Sequence, residues 1–481
     1  MVFSSVTYII FFVIVMSFMA ITKLKVLTNH FKSESLRTFR HIFLLIVSYI
    51  FYGWWDWRFC FLMFGLTFIA YTSVKMITTH EKYAKLFKII GIVFPLFILG
   101  IFKYFNFFID SFCDAFNITG YTTLNIILPV GISFYTFQSM SYTIDVIRKN
   151  VPPSEFLDVA LYVSFFPQLV AGPIVKAQEF IPQLKEDRNI TLKGLEEGLQ
   201  IFLFGLFKKI VIADNLSVFI DQVFEKPAAF HSVSVILAVV AYSIQIYFDF
   251  SGYSDMAIGS AKCLGYDFNR NFNLPYISKN VSEFWKRWHI SLSTWLQEYL
   301  YIPLGGNRKG KARTYINLML TMVIGGLWHG ANWNFVLWGA LHGLALCIHK
   351  IFRTFYKPKH KHKFTDFISV FVTYVFVCIC WIPFRSTDIN HTLEIIKRIF
   401  IWQDGILQIH SWTIIAIILL IIGTVAAIIK AKKIGETKFI SGYYKIVSLD
   451  KISSLIIVIL FIGIILGLAH TNSNPFIYFQ F

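Results

Sequence analysis

Ten uncharged apolar stretches divide this chain: residues 7 to 22, 41 to 55, 59 to 74, 89 to 102, 115 to 144, 232 to 248, 314 to 348, 367 to 384, 412 to 429 and 454 to 469. A helix that crosses lipid needs about 20 predominantly apolar residues, so blocks of this kind specify membrane spans and not the stripe of an amphipathic surface helix. Some stretches are short and 314 to 348 is long enough to fold back, which predicts roughly 10 to 12 membrane elements. Only 15% of the 481 residues are charged and 52 are Phe. A soluble domain normally carries about 25% charged residues, and one soluble core could not hide so many rings. The expected fold class is an all-α polytopic integral membrane protein.

The first apolar stretch has no basic residue before it and no small-x-small cleavage site after it, only Lys23 and Lys25. It reads as a retained span and not a signal peptide. No linker, charge block or repeat marks a boundary, so residues 1 to 481 read as a single membrane-embedded domain. Cys60, Cys113, Cys263, Cys347, Cys378 and Cys380 lack metal-ligand spacing and read as packing residues.

Lys and Arg favour the cytoplasmic side of a span, so short loops should alternate between rich and poor in them. Residues 23 to 40 contain Lys23, Lys25, Lys32, Arg37 and Arg40, the next turn only Arg58, and the one after it Lys75, Lys82, Lys85 and Lys88. Lys357, Lys359, Lys361 and Lys363, and then Lys430, Lys432, Lys433, Lys438 and Lys445, continue the alternation. This bookkeeping places the N-terminus and residues 471 to 481 outside. Residues 156 to 175, with Pro167, Gly172 and Pro173, and residues 194 to 213, with Lys208 and Lys209, are less regular. Broken backbone at membrane depth is tolerated only where protein or a water-filled cavity covers it, so re-entrant or slanted helices around a central cavity are expected there.

The 35 residues from 314 to 348 would make a helix of about 52 Å, longer than a bilayer is thick. The helix must break, at Gly325-Gly326 or at Gly330. His329 lies at that break between Trp328 and Trp333, and His342 follows. An ionisable group at such depth is a functional candidate, and imidazole suits proton transfer near neutrality. The structural alternative is a core histidine bonded to a carbonyl. In one continuous helix the two histidines would lie about 20 Å apart on different faces.

Residues 282 to 301 place Trp285, Trp288, Leu292, Trp295 and Tyr299 at three- and four-residue steps. This predicts an amphipathic helix near the cytoplasmic interface. His289 sits beside the stripe, either as a functional group or as an incidental part of an aromatic anchor. Residues 262 to 313 hold nine Lys or Arg against three acids, with Arg308, Lys309, Lys311 and Arg313 bunched after Pro303-Leu304-Gly305-Gly306-Asn307. Positive-inside retention, anionic lipid and a phosphate-bearing donor such as coenzyme A would all use these charges. The chain ends Asn474-Pro475-Phe476-Ile477-Tyr478-Phe479-Gln480-Phe481. Disordered tails are normally polar, so this one reads as a docked peptide or a membrane-interface anchor.

Five motifs follow in order: Phe165-Phe166-Pro167-Gln168-Leu169-Val170-Ala171-Gly172-Pro173-Ile174, Phe248-Asp249-Phe250-Ser251-Gly252-Tyr253-Ser254-Asp255-Met256-Ala257, Phe284-Trp285-Lys286-Arg287-Trp288-His289-Ile290-Ser291-Leu292-Ser293, Tyr301-Ile302-Pro303-Leu304-Gly305-Gly306-Asn307, and Trp328-His329-Gly330 running on to Trp338-Gly339-Ala340-Leu341-His342-Gly343. Together they resemble the membrane-bound O-acyltransferase superfamily, in its branch of bacterial alginate and peptidoglycan O-acetyltransferases, with the teichoic-acid D-alanyl transferases more distant. The resemblance is dense over residues 125 to 350, which it marks as the catalytic core. It implies about eleven helices ringing a thin centre, with a cytoplasmic funnel for the donor and an outer one for the acceptor. It also implies that His329 is the catalytic histidine and His289 a second functional position, with His342 supporting. Acetyl-coenzyme A is the implied acyl donor, for which Arg308, Lys309, Lys311 and Arg313 are the candidate binding residues, and no permanently bound cofactor or metal is implied. The implied setting is the cytoplasmic (inner) membrane, and the implied partner an extracytoplasmic SGNH-type O-acetyltransferase. The tail resembles the C-terminal aromatic motif of a small peptide of teichoic-acid D-alanylation systems, which makes Tyr478 a candidate acyl carrier.

A D-alanyl, lipid-directed or protein-directed acyltransferase is the nearer competing reading. A proton-coupled transporter is the competitor from another class, in which the histidines would serve a proton path. No paired or inverted halves support it. The net charge of +17 lies in membrane-flanking loops, with nothing suited to nucleic-acid readout.

Overall fold

The computed structural model describes residues 1–22, 32–170, 172–188, 190–355, 363–434, 452–469 and 476–477. Helices dominate, and among the described residues six are long and apolar enough to cross a bilayer: Arg58–Thr79, Glu81–Ala115, Ser232–Cys263, Trp333–Phe355, Lys363–Arg385 and Ser411–Lys430. Val6–Ile21 and Ile452–Leu468 are shorter apolar helices. Their outward faces are apolar: Ile421, Ile422, Ile459 and Leu460 are each more than half exposed. An aqueous surface does not carry apolar patches on that scale, whereas lipid demands them. The protein is a multi-pass, all-α membrane protein, as its uncharged stretches predict.

The chain forms two compact units, Met1–Phe202 with Asp255–Asn269, and Leu203–Ser254 with Arg270–Phe481. The first contains α1 (Val6–Ile21), α2 (Ser33–Asp56), α3 (Arg58–Thr79), α4 (Glu81–Leu99), α5 (Phe105–Ala115), α6 (Ile132–Ile147), α7 (Phe156–Ser164), α8 (Ala177–Lys185) and most of α9 (Leu192–Leu206). Of the uncharged stretch 115 to 144, only Ala115, which ends α5, and the part from Ile132 are helical. Residues 156 to 175 fold as α7 and a single turn at Phe166–Leu169, bounded by irregular backbone. The Phe165 ring packs there against Phe180, Tyr266 and Phe268, and Ser48 Oγ accepts the Phe166 N–H at 3.1 Å. The backbone groups freed by the break thus find partners inside protein.

The second unit holds α10 (Asp214–Glu225), α11 (Ser232–Cys263, as far as Ser254), α12 (Val281–Arg287), α13 (Ile290–Leu296), α14 (Lys311–His329), α15 (Trp333–Phe355), α16 (Lys363–Arg385), α17 (Ile389–Phe400), α18 (Ser411–Ile434) and α19 (Ile452–Leu468). A π-helical segment, Phe207–Ala213, joins α9 to α10. All six cysteines are free thiols, and five of them are buried.

The long stretch from 314 to 348 breaks as its length requires, after His329. Gly330 caps α14 with extended backbone, and α15 starts at Trp333. Gly325-Gly326, the other candidate break, stays helical and serves packing instead. A Cβ on Gly326 would stand 2.1 Å from the Phe335 carbonyl oxygen, and one on Gly339 would stand 2.3 Å from that of Met322. Small residues on facing helices let the α14 and α15 backbones approach this closely.

Residues 282 to 301 depart from expectation, because they do not form one helix lying at an interface. α12 ends at Arg287, His289 adopts a left-handed φ of 42°, and α13 begins at Ile290. Gln297–Tyr301 then continues as a π-helix. The aromatic stripe is not an outward anchor either. Trp288, Leu292 and Trp295 are buried, Trp288 against Tyr247, Phe272 and Trp381. The cause of the break is not local. Asn271 supplies its carbonyl to the Ile290 N–H at 2.9 Å, and its side-chain oxygen accepts from the Ser291 N–H at 3.2 Å and hydroxyl at 2.9 Å.

Candidate active site

His289 caps the first turn of α13 with its main chain, and its ring is fully buried. A non-glycine residue in the left-handed region costs about 1 to 2 kcal/mol. The contacts of Asn271, itself buried and tied to Ser254 Oγ at 3.2 Å, hold that conformation in place. From this position the His289 ring meets Phe250 of α11 edge to face at 4.6 Å between centroids, Trp328 at 5.8 Å and His329 at 6.4 Å.

His329 is the last residue of α14. Its ring is walled by Trp328 at 5.0 Å, Trp338 at 5.0 Å and Phe384 at 5.2 Å, and only 4% of its surface is exposed. The end of α14, the start of α15 and the end of α16 are fastened together there: Asn332 and Asn334 donate side-chain amide hydrogens to the carbonyls of Thr387 and Ser386 at 3.1 and 2.8 Å. The histidines are thereby placed in a buried aromatic chamber. Burial of this kind strengthens electrostatic interactions within the chamber.

His342 stands across Trp338 from His329, with ring separations of 4.9 and 5.0 Å. The turn at Gly330 therefore brings together two residues that a continuous helix would hold far apart. Phe284, Trp285 and Phe376 complete its cage. Neither His342 ring nitrogen has a hydrogen-bond partner among the described residues, so the expected bond to a core carbonyl is not what holds this ring.

The basic cluster lies elsewhere in the unit. Arg308, Lys309, Lys311 and Arg313 are all exposed, at the N-terminal end of α14, about 27 Å along the helix from His329. Asn317 fixes the preceding loop through the carbonyls of Leu304 and Gly306, at 3.3 and 3.1 Å. The structure unites the three histidines and leaves these cations separate from them.

Tyr478 falls outside the described residues, but the two residues before it do not. Phe476 is fully buried and Ile477 is 4% exposed. The Phe476 ring stacks on Tyr253 at 4.5 Å and meets Phe250 at 5.6 Å. One ring, Phe250, thus touches both the C-terminal segment and His289.

A buried ion cluster was not among the candidates drawn from the sequence. Lys209 Nζ lies 2.9 Å from Asp214 Oδ1 and 2.5 Å from Asp249 Oδ1, and all three residues are at most 2% exposed. Asp249 Oδ2 also accepts the Ile477 N–H at 2.8 Å. The available signal was Asp249 itself, an acid at the end of the uncharged stretch 232 to 248, where the helix runs on regardless to Cys263.

The model of the membrane-bound O-acyltransferase family matches residues 146–385, and the chain belongs to that family. It is therefore an acyltransferase. A probable alginate O-acetylase of Pseudomonas putida is 37% identical over 467 residues, spanning 92% of this chain and 95% of that protein. The peptidoglycan O-acetyltransferase of Helicobacter pylori is 39% identical over 390 residues, 75% of this chain and 73% of that one. The teichoic acid D-alanyltransferase of Bacillus subtilis is 26% identical over 288 residues, 56% and 71% of the two chains.

Proposed function

We propose that this enzyme takes acetyl from acetyl-coenzyme A at the cytoplasmic face of the inner membrane and passes it through Tyr478 to an extracytoplasmic partner, which O-acetylates an envelope glycan of the peptidoglycan or alginate kind. The observation that carries the reading is the burial of Phe476 against Phe250, the ring that also contacts His289. The acetyl group, in preference to D-alanyl, follows from the higher identity to O-acetylating relatives. The alternation of Lys and Arg supports an outward C-terminus.

In this reading His329 is the general base. It takes the Tyr478 phenol proton as the phenolic oxygen attacks the thioester carbonyl; the new C–O bond forms, the C–S bond breaks, and the departing thiolate recovers the proton. His289, beside it, is the second functional group of the chamber. An acceptor hydroxyl then attacks the acetyl carbon, the aryl ester C–O bond breaks, and the phenol regains its proton. A phenol pKa of about 10 makes this leaving group weakly basic, so the aryl ester keeps much of the thioester's transfer potential, and one difficult transfer is split into two easier ones. Arg308, Lys309, Lys311 and Arg313 hold the donor's phosphates, while its pantetheine arm reaches along α14 toward His329.

Deleting residues 474 to 481 tests the proposal in cells. Loss of envelope O-acetylation with unchanged membrane insertion is expected. Normal acetylation by the shortened chain would contradict it.

A further inference from the structure

A lysine between two aspartates carries one more negative charge than positive, and such an excess is costly in a buried site unless further donors meet it. Asp249 faces the C-terminal segment with the oxygen that Lys209 does not take. The donor it meets there is the Ile477 main-chain N–H, at 2.8 Å. The carboxylate is held for this contact from both sides. Lys209 reaches it from the π-helical segment Phe207–Ala213, a local widening of the kind often found at functional positions. One turn along α11, Gly252 lets the two helices meet: a Cβ there would lie 2.6 Å from the Gly205 carbonyl oxygen and 3.1 Å from the Lys209 nitrogen.

We infer that the Lys209–Asp214–Asp249 cluster is a clamp for the C-terminal segment, with Asp249 as a positioning residue that fixes the register in which Tyr478 is presented. The inference rests on the reading of Tyr478 as the acyl carrier. Because the clamped group is a backbone N–H, it specifies a position along the tail and not the identity of residue 477. Consecutive Cα atoms lie about 3.8 Å apart, so a slip of one residue would exchange the phenol for Ile477 in one direction or Phe479 in the other. Phe476, stacked on Tyr253, supplies the burial that brings the tail in. The charged acceptor supplies the directional contact, since hydrogen bonds to ionised groups are roughly twice as strong as neutral ones.

The test measures amide hydrogen exchange of the C-terminal peptide in the full-length purified protein, together with acetyl occupancy of Tyr478 after addition of acetyl-coenzyme A. Asp249→Asn keeps the shape and removes the charge. Ile477→Pro removes the donor at the chain's end, where the bundle's folding is not at stake, and Ile477→Val keeps it. Exchange about tenfold faster in Asp249→Asn and Ile477→Pro, with Ile477→Val protected like wild type, is expected. Wild-type protection in Ile477→Pro would overturn the clamp, whatever the acetyl occupancy. Faster exchange in the two variants, with no acetyl found on Tyr478 of the wild type, would leave the clamp standing and remove the tyrosine relay instead.

Discussion

The rings of His289 and His329 lie 6.4 Å apart, although one follows a short helix and the other ends a long one. The proximity depends on two interruptions of helix: the left-handed residue at His289 and the extended cap at Gly330. Neither interruption comes from a proline. Asn271 makes the first through hydrogen bonds from a distant loop, and the length limit of a membrane helix makes the second.

Asn271→Ala removes the acceptor of the Ser291 N–H and hydroxyl. Leaving such groups unpaired costs about 1 to 3 kcal/mol. The variant should insert in the membrane, unfold at a lower temperature in detergent, and lose kcat in larger proportion than it changes KM for acetyl-coenzyme A. A wild-type kcat would show that the break at His289 does not set the geometry of the chamber.

Gly339 is where the α14–α15 hairpin closes. An added side chain would press on the Met322 carbonyl, a backbone atom that cannot move without moving α14. Gly339→Leu should cost about 1 to 3 kcal/mol or more through overpacking, read as a lowered Tm, with activity lost because His329 and His342 both lean on Trp338. Unchanged stability would contradict the close approach of the two helices.

If these exposed charges act on the donor's phosphates and not on the reacting bond, as proposed, replacing Arg308, Lys309, Lys311 and Arg313 with Gln should raise KM for acetyl-coenzyme A while leaving kcat within about twofold. The wild-type KM should rise with added salt and the variant's should not, since salt screens exposed charges. A fall in kcat without a change in KM would assign the cluster to the chemistry or to the fold.

Length and charge arithmetic made the all-α, multi-pass architecture legible, because lipid imposes the same demand on every span. That the stretch 314 to 348 breaks was legible for the same reason, though length alone left Gly325-Gly326 and Gly330 as equal candidates and the structure breaks at Gly330. The break at His289 was not. Trp285, Trp288, Leu292, Trp295 and Tyr299 keep helical spacing across it, and the hydrogen bonds that interrupt it come from Asn271. The buried cluster is hidden in the sequence for a related reason. Asp249 reads as the end of an apolar stretch until Lys209, from a different helix, compensates its charge. Local pattern reports which groups are apolar, but a charge is allowed inside the membrane by a partner that the pattern does not contain.

If His329 drives acetyl transfer onto Tyr478, the acetyl group must be found on the tail of the wild type. Intact mass spectrometry of the purified protein after exposure to acetyl-coenzyme A tests it most directly, comparing wild type with His329→Ala and Tyr478→Phe. One added acetyl group on the C-terminal peptide of the wild type, and none on either variant, is expected. An unmodified wild type that still requires His329 for envelope acetylation would contradict the relay and mean that acetyl passes directly to the partner.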